Sequence, residues 1–472
     1  MIPLHLAELA RLAGGVVGAG GVVGAGDALV TAPVAVDSRE VVPGGLFAAV
    51  RGKRVDGHDF VEQALDHGAR ASLVSRPVAG AHVLVDDVVV ALGRLARGVV
   101  DVLVPGGLVV VGVTGSSGKT STKDLLAQLL SGAGPTVASV GSFNNEIGAP
   151  LTALRADAGT AYLVVEMGAR GAGHIADLCR TTPPRIGVVL NVGTAHAGEF
   201  GGSEATARAK SELVQALPAA AAGGVAVLNA DDRRVVAMAG LTTARVVTVG
   251  TAPAADVRAE EVRLDARGRA TYVLHTPDGT SVPVRLGLHG AHHVGNSLAA
   301  AAVALEAGLS PAAVAQVLGA VRPVSRWRME VVDRPDGVTV VNDAYNANPD
   351  SVRAALAALS AMAEGRRSWA VLGEMLELGA ASHAEHVEVG RLVRRSGVDR
   401  LVVVGDAARA VHDGALAEGA VDGEESVVVA DVPAALDLLA ASLRPGDVVL
   451  VKGSRGVGLE RVAAGLLGEA AS

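Results

Sequence analysis

Cysteine is nearly absent. The 472-residue chain has one, Cys179, which excludes an intramolecular disulfide framework and any zinc cluster built from cysteines. That usage fits a reducing, cytoplasmic setting. Cys179 itself, in IADLCR, reads as a half-buried helix residue. Aromatic residues are scarce too. Four Phe, three Tyr and two Trp are too few for the stacking platforms of a single-strand nucleic-acid binder, and Trp327 and Trp369 read as packing. A basic excess is missing. The net charge of −8 leaves no footprint for duplex DNA or an anionic membrane, so nucleic acid is not an expected partner. Long hydrophobic runs are missing as well. Residues 12–26 are uncharged but nearly half glycine, and residues 213–230 are broken by Pro218 and Gly223–Gly224. A membrane span needs about 20 continuous apolar residues, so no membrane insertion is expected. The opening MIPLHLAELAR lacks the positive charge of a signal peptide. A monomer is the default expectation.

Lysine is rare in a different way. It occurs 5 times, at 53, 119, 123, 210 and 452, and every other basic residue is Arg. In such a background the surviving lysines rank highly as functional candidates. An ammonium is a compact point charge that can lose its proton, and a guanidinium is not.

What is present is apolar and layered. Half of the residues are hydrophobic, and the length suggests roughly two to four domains at ~100–200 residues each. Short β-rich runs alternate with Ala-rich helical stretches, the pattern of α/β layers on parallel sheets. Strands are predicted at 108–113, 162–167, 185–192, 337–343, 369–374, 400–406 and 447–453, with helices between them such as 121–130 and 296–308. Breaks near 104–107 and 321–329 divide the chain into 1–104, 105–321 and 322–472. Residues 250–285 read as β-structure within the middle unit.

The run LVVVGVTGSSGKTST (108–122) carries the strongest local signal. A buried strand enters a Gly-Ser loop, then Gly-Lys-Thr, then a helix, which is the context a phosphate-binding loop requires. Thr114, Gly115, Ser116, Ser117, Gly118, Lys119, Thr120 and Ser121 form this loop. The glycines let backbone N–H groups approach phosphate oxygens, and the helix N-terminus adds partial positive charge. Lys119 would reach the β/γ-phosphates of ATP, and Thr120 would offer its hydroxyl to Mg²⁺. The spacing is tighter than usual, with two residues rather than four between Gly115 and Gly118. Downstream, Glu166 ends a predicted strand, His196 follows another in NVGTAH, and Lys210 lies in ARAKSEL. With Thr120 they could surround a Mg²⁺–phosphate centre. Mg²⁺ prefers oxygen, so Lys210 would take part only as a carbamate formed from its neutral amine and CO₂.

These residues, together with SFNNEIGAPLT (142–152), EMGAR (166–170), NVGTAHAGEFGG (191–202), GAHHVGNSLAAA (290–301), NDAYNANPDSVRAAL (342–356), VLGEMLELG (371–379) and VKGSR (451–455), resemble the Mur ligases. The similarity reaches AVDSREVVPGGLFAAVRGKRVDGHDF (35–60), and no DNPR string, the mark of the diaminopimelate-adding sister enzymes, is present. The resemblance implies three domains: an N-terminal α/β domain for the UDP end of the substrate, a central P-loop ATPase domain, and a C-terminal Rossmann-like domain that closes over ATP. It further implies the branch that joins D-alanyl-D-alanine to a UDP-N-acetylmuramoyl-tripeptide through an acyl phosphate.

Site roles follow from the same resemblance. Lys119 and two Mg²⁺ ions would carry the chemistry. Thr120 and Glu166 would hold one ion, and His196 with the carbamate of Lys210 the other. Asn296 would contact adenine, and Arg328 and Asp343 would hold ATP from the third domain. His293 stands where the family commonly has Asn. Asn144 and Asn145 would meet substrate near the γ-phosphate, and Tyr345, Asn346 and Asn348 would shape the nucleotide and dipeptide side. Lys452, Ser454 and Arg455 would suit a carboxylate or phosphate, and Ser38 and Arg39 the uridine diphosphate end, with Lys53, His58 and Asp59 as weaker candidates. His383 and His386 read as a surface helix face. The competing expectations are another Mur ligase, a folylpolyglutamate synthase-like ligase, or a regulatory P-loop NTPase.

Overall fold

The computed structural model describes residues 1–21, 24–193 and 202–469. Among these residues the fold is built on three sheets and a short two-stranded ribbon, Leu4–His5 with Leu29–Val30. The first sheet has five strands in the order Val16–Gly18, His82–Leu84, Ala71–Val74, Leu46–Ala48, Val34–Ala35. All its pairs are parallel except the first. The second has nine strands, parallel from Thr136–Ala138 through Tyr162–Glu166, Val109–Thr114, Ile186–Val189, Val225–Asn229 and Arg245–Gly250 to Val257–Leu264. Two antiparallel strands, Arg269–His275 and Ser281–His289, extend it, so the expected β-structure of 250–285 is a meander on the sheet edge. The third sheet runs Glu330–Asp333, Thr339–Asn342, Val448–Lys452, Ser368–Leu372, Arg400–Val404, Ser426–Val429, parallel after its antiparallel first pair.

The parallel strands are runs of Val, Ile and Leu because helices cover both of their faces. In Val109–Thr114 and Val448–Lys452 nearly every residue is buried. Two helices start earlier than the sequence pattern suggested. The phosphate-loop helix spans Lys119–Leu130 rather than 121–130, and the later helix spans His293–Glu306 rather than 296–308. Gly118, at φ 81°, supplies the left-handed residue from which the helix springs, so Lys119 sits in its first turn.

The apolar cores are divided unequally. One continuous cluster contains Leu6, Leu9, Leu92, Leu95 and Val99 of the N-terminal region together with Ala149, Leu163, Ile175 and Leu213 beneath the nine-stranded sheet. The helix Val88–Leu103, capped by Asp87 on the N–H groups of Val89 and Val90, lies against helices Gly148–Ala153 and His174–Thr181. Arg97 adds a hydrogen bond to the Arg180 carbonyl at 3.1 Å. The six-stranded sheet keeps two cores to itself, one on each face. The segment Val321–Met329 that leads into it is irregular, and Trp327 (φ 60°) and Met329 (φ 50°) both lie in the left-handed region.

No helix among the described residues is long and apolar enough to cross a membrane. Cys179 is fully rather than half buried, and burial pushes its thiol up to about 12, so it is inert packing.

Candidate active site

In the nine-stranded sheet, Val109–Thr114 lies between Tyr162–Glu166 on one side and Ile186–Val189 on the other. The connections diverge there, which opens a crevice beyond the carboxyl ends of the strands. A cavity of about 560 Å³ occupies it, walled on the far side by residues of the six-stranded sheet. Ser116 to Ser121, Asn144, Asn145, Glu166, Lys210, Asn296, Arg328, Asp343, Tyr345, Asn346, Asn348 and Lys452 line this one space.

The loop is braced from the neighbouring strand. Asn191 accepts from the Ser116 N–H through its carbonyl (3.1 Å) and from the Ser117 N–H through its side chain (2.9 Å), and the Ser116 hydroxyl accepts from the Gly193 N–H (3.0 Å). A Cβ on Gly115 would come within 2.9 Å of Leu190, and one on Gly118 within 2.5 Å of the Asn296 amide oxygen. Both glycines are therefore required by close packing. The short two-residue spacing fits because Lys119 folds back and donates to the Gly115 carbonyl at 2.6 Å. Thr114 and Gly115 lie beneath the cavity rather than on its wall, so their contribution is to the loop's shape.

At the foot of the loop the Thr120 hydroxyl donates to Glu166 Oε2 at 2.9 Å, and the Asn144 amide donates to Oε1 at 2.8 Å. Arg328 reaches across from the linker and donates to the Thr120 hydroxyl at 3.0 Å. Lys119 is held below its ordinary lysine range by burial, with Glu166 opposing and Arg328 adding to the effect. Lys210, only 5% exposed, is lowered well below that range by burial, then by the charge of Lys119. Both effects favour the neutral amine at Lys210. Among the described residues no three His, Cys, Asp or Glu side chains converge. The donor pair at Thr120 and Glu166 is all oxygen, which suits Mg²⁺ completed by phosphate oxygens. His196 lies outside the described residues.

One side of the cavity is built on helix His293–Glu306. Its buried His293 and Asn296 are 3.4 Å apart, Nδ1 to the amide nitrogen, and the His292 and His293 rings sit 4.2 Å apart. Burial, then His292, His289 and Arg328, hold His293 well below the ordinary imidazole range. Burial lowers His292 to about 4.

The opposite wall is held by one lysine. Lys452 is buried, with its ammonium 2.6 Å from Asp343 Oδ2 and 2.9 Å from the Asn346 carbonyl. Asp343 Oδ1 also accepts from the Met329 N–H. Asn348 caps helix Pro349–Met362 in a reciprocal box with Ser351. The Tyr345 hydroxyl hydrogen-bonds the Ser142 hydroxyl of the nine-stranded unit. Arg328 lies over the Tyr345 ring at 4.1 Å, Tyr345 stacks on Trp327 with centroids 6.5 Å apart, and Arg455 covers Trp327 at 4.1 Å. Trp327 is thus part of a ladder of alternating guanidinium and aromatic faces.

Several candidates do other work. Arg455 spends its charge on Glu460 (2.6 Å) and its face on Trp327, so it does not line the cavity. The buried Ser454 hydroxyl accepts from the Leu376 N–H at 2.9 Å and joins two loops. Ser38 donates to Gln63 at 2.8 Å, and Arg39 is paired with Asp37 at 2.6 Å. Neither lies near the cavity, and Lys53, His58 and Asp59 are absent from its lining as well. His386 is not on a surface: it is buried, and its Nε2 accepts from the Met375 N–H at 2.9 Å. Trp369 is packing, with its indole N–H on Asp447.

The structure adds Ser142, Arg170, His174, His292, Asp350 and Glu377 to the wall. All except His174 lie in the motif strings quoted above, without any local signal of their own, and all six meet in one space only on folding.

Comparison with known proteins agrees with this architecture. Three family models match: "Mur ligase family, catalytic domain" over 32–98, "Mur ligase middle domain" over 113–304, and "Mur ligase, glutamate ligase domain" over 327–455. The chain is 50% identical to the UDP-N-acetylmuramoyl-tripeptide--D-alanyl-D-alanine ligase of Mycobacterium bovis, covering 99% of this chain and 98% of that one. It is 37% identical to the protein of the same name from Escherichia coli, covering 91% and 92%. Among solved structures, MurF from Acinetobacter baumannii superposes with a TM-score of 0.85 at 30% identity, covering 99% of each chain. MurF from Thermotoga maritima in complex with ADP gives 0.79 at 30% identity, covering 93% and 98%. With its three sheets, its phosphate loop at the switch point of the second and these relatives over its full length, the chain belongs to the Mur ligase family.

Proposed function

We propose that this protein is an ATP-dependent ligase that adds D-alanyl-D-alanine to UDP-N-acetylmuramoyl-tripeptide, giving the pentapeptide precursor of peptidoglycan. The observation that carries the reading is one cavity in which a phosphate loop, Lys119, Thr120, Glu166 and Lys210 face Arg328 and Asp343 across the crevice. The names of relatives at 50% and 37% identity support the substrates, and the ADP complex of a relative supports the nucleotide.

A carboxylate is a poor acyl donor because oxide is a poor leaving group. Attack of the tripeptide carboxylate on the γ-phosphorus forms a C–O–P linkage as the bond to ADP breaks. The neutral amine of the dipeptide then attacks the carbonyl carbon, the C–N bond forms, and phosphate leaves with the C–O electron pair and takes up the proton that the nitrogen gives up. Positioning and charge neutralisation dominate such transfers. Lys119 and the loop N–H groups bind the β/γ-phosphates, Asn144 orients Glu166, and Arg328 steadies Thr120. Asn296 reads adenine, and Asp343, held by Lys452, faces the ribose. Two Mg²⁺ ions, one at Thr120 and Glu166 and one at His196 and a Lys210 carbamate, would supply charge neutralisation at the transferred phosphoryl group. The depressed Lys210 amine fits carbamate formation. The three regions 1–104, 105–321 and 322–472 serve the UDP end, ATP and the acceptor respectively, in a monomeric cytoplasmic enzyme.

The test is phosphate release with ATP and Mg²⁺, supplying UDP-muramoyl-tripeptide (with diaminopimelate or lysine) and D-alanyl-D-alanine together and then omitting each. Release that needs every component, with a pentapeptide product by mass, is the expected result. Steady release from ATP alone would instead mark a regulatory NTPase.

A further inference from the structure

The incoming acceptor poses an electrostatic problem. Its reactive end is an ammonium before it is a nucleophile, yet the cavity floor is built for anions, with Lys119, Lys210 and Arg328 beside the loop N–H groups. A cation approaching there needs a carboxylate on the wall that closes over it. Three acidic residues on that wall come from the third sheet's unit: Asp343, Asp350 and Glu377. Asp343 is engaged by Lys452 at 2.6 Å. Asp350 sits in the first turn of helix Pro349–Met362, pairs with Arg353 at 3.0 Å and packs at Gly193.

Glu377 stands on an unusual backbone. Its φ is 66°, in the left-handed region where a non-glycine residue is strained. Such strain persists only where the surroundings over-determine it, and it concentrates at functional sites. The surroundings do so here. Met375 and Leu378 are buried on either side. The Met375 N–H is fixed on His386, the Leu376 N–H on Ser454, and the Ser454 N–H on the Glu374 carbonyl at 3.0 Å. Gly373 is tied to the Lys452 carbonyl at 3.0 Å. The loop is thus pinned at four consecutive positions before Glu377, with Leu378 buried just after it, and the exposed Glu377 lines the cavity.

We propose that Glu377 binds the ammonium of the dipeptide acceptor and holds its nitrogen toward the acyl phosphate. This rests on the ligase reading above. His386 and Ser454 are then positioning residues that act through the loop carrying Glu377.

The experiment separates the two half-reactions. With ATP, Mg²⁺ and UDP-muramoyl-tripeptide, hydroxylamine traps the acyl phosphate as a hydroxamate. Hydroxylamine is uncharged near neutral pH and needs no carboxylate to receive it. In Glu377→Gln, hydroxamate formation should stay within about twofold of wild type, while kcat/KM for D-alanyl-D-alanine falls about 10–100-fold, the range for a lost hydrogen bond to a charged group. Glu377→Asp should recover part of that loss, and KM for ATP should not move. The proposal is overturned if Glu377→Gln keeps its kcat/KM for the dipeptide within threefold, if it loses hydroxamate formation equally, or if Asp350→Asn and not Glu377→Gln carries the dipeptide-specific defect. A wild-type enzyme that makes no hydroxamate with ATP and tripeptide would instead remove the ligase reading itself.

Discussion

Two seams join the three regions, and they are made of different material. The N-terminal seam is apolar: helix Val88–Leu103 shares one continuous core with the floor of the nine-stranded sheet. The C-terminal seam is polar. It includes Arg328 on Thr120, Tyr345 with Ser142, Arg267 paired with Asp333 (2.8 Å), the backbone of Arg322 bonded both ways to Gln128 (3.1 Å each), and Asp124 accepting from the Ser325 N–H (3.1 Å). Apolar contact is lost outright when a seam opens, since water does not replace it. Polar contact is exchanged for water at little net cost, about 0.5–1.5 kcal/mol per bond. The first seam therefore resists opening more than the second does, and the cavity lies at the second.

The sharpest test of that division is at its chemical centre. Lys119→Ala should lower substrate-dependent phosphate release about 1,000-fold while leaving the thermal transition in place. A comparable fall in melting temperature would mean that the polar seam also bears the fold. The apolar seam should respond in the opposite way. Val100 is fully buried in the shared core, one turn beyond Arg97. Val100→Asp places an unpaired carboxylate there, and urea denaturation should show a loss of about 3 kcal/mol or more. If stability is unchanged, the two regions are not one cooperative unit.

Acid should act at the cleft. His292 has its folded value lowered to about 4 from an ordinary 6.5, so below pH 6.5 the unfolded chain takes up a proton that the folded one refuses. Stability is full above 6.5 and falls as pH drops toward 4, by about 2 kcal/mol at pH 5. Urea midpoints at pH 7.5 and 5 should differ less in His292→Gln than in wild type, and an unchanged difference would assign the acid sensitivity elsewhere. The smallest effect is expected at Gln128→Ala, which removes both bonds to the Arg322 backbone. KM for ATP should rise about two- to fivefold, equivalent to roughly 1 kcal/mol, with kcat nearly unchanged. A change in kcat alone would place the linker in the chemical step.

The parts of the site that were legible in the sequence are those whose geometry is local. The phosphate loop needs only a strand, two glycines, Lys119, Thr120 and a helix within fifteen consecutive residues. Lysine scarcity singled out Lys210 and Lys452 because burial makes arginine a poor substitute at both. Ser454 and Arg455 do not line the cavity, and the sequence has a physical reason for leaving that open. A basic turn after a strand looks the same whether its hydroxyl and guanidinium face a ligand or tie down a neighbouring loop and an indole ring. His386 misled similarly, since a histidine that accepts a backbone N–H has no sequence mark. Glu377 stayed hidden because its significance lies in a backbone angle, and that angle is fixed by partners at 386 and 454. Strands of the parallel sheets were legible to within one to three residues for most of the predicted runs, whereas the early helix starts at Lys119 and His293 depended on loop conformation.

The chain has two tryptophans, and they stand in opposite situations. Trp369 is sealed in a strand with its N–H on Asp447, and its surroundings are fixed whatever the third unit does. Trp327 sits at the joint itself, between Tyr345 and Arg455. The protein therefore carries its own optical probe. In a Trp369→Phe background all indole emission comes from the joint, and a titration with nucleotide or dipeptide would report closure as a change in fluorescence, with no label attached.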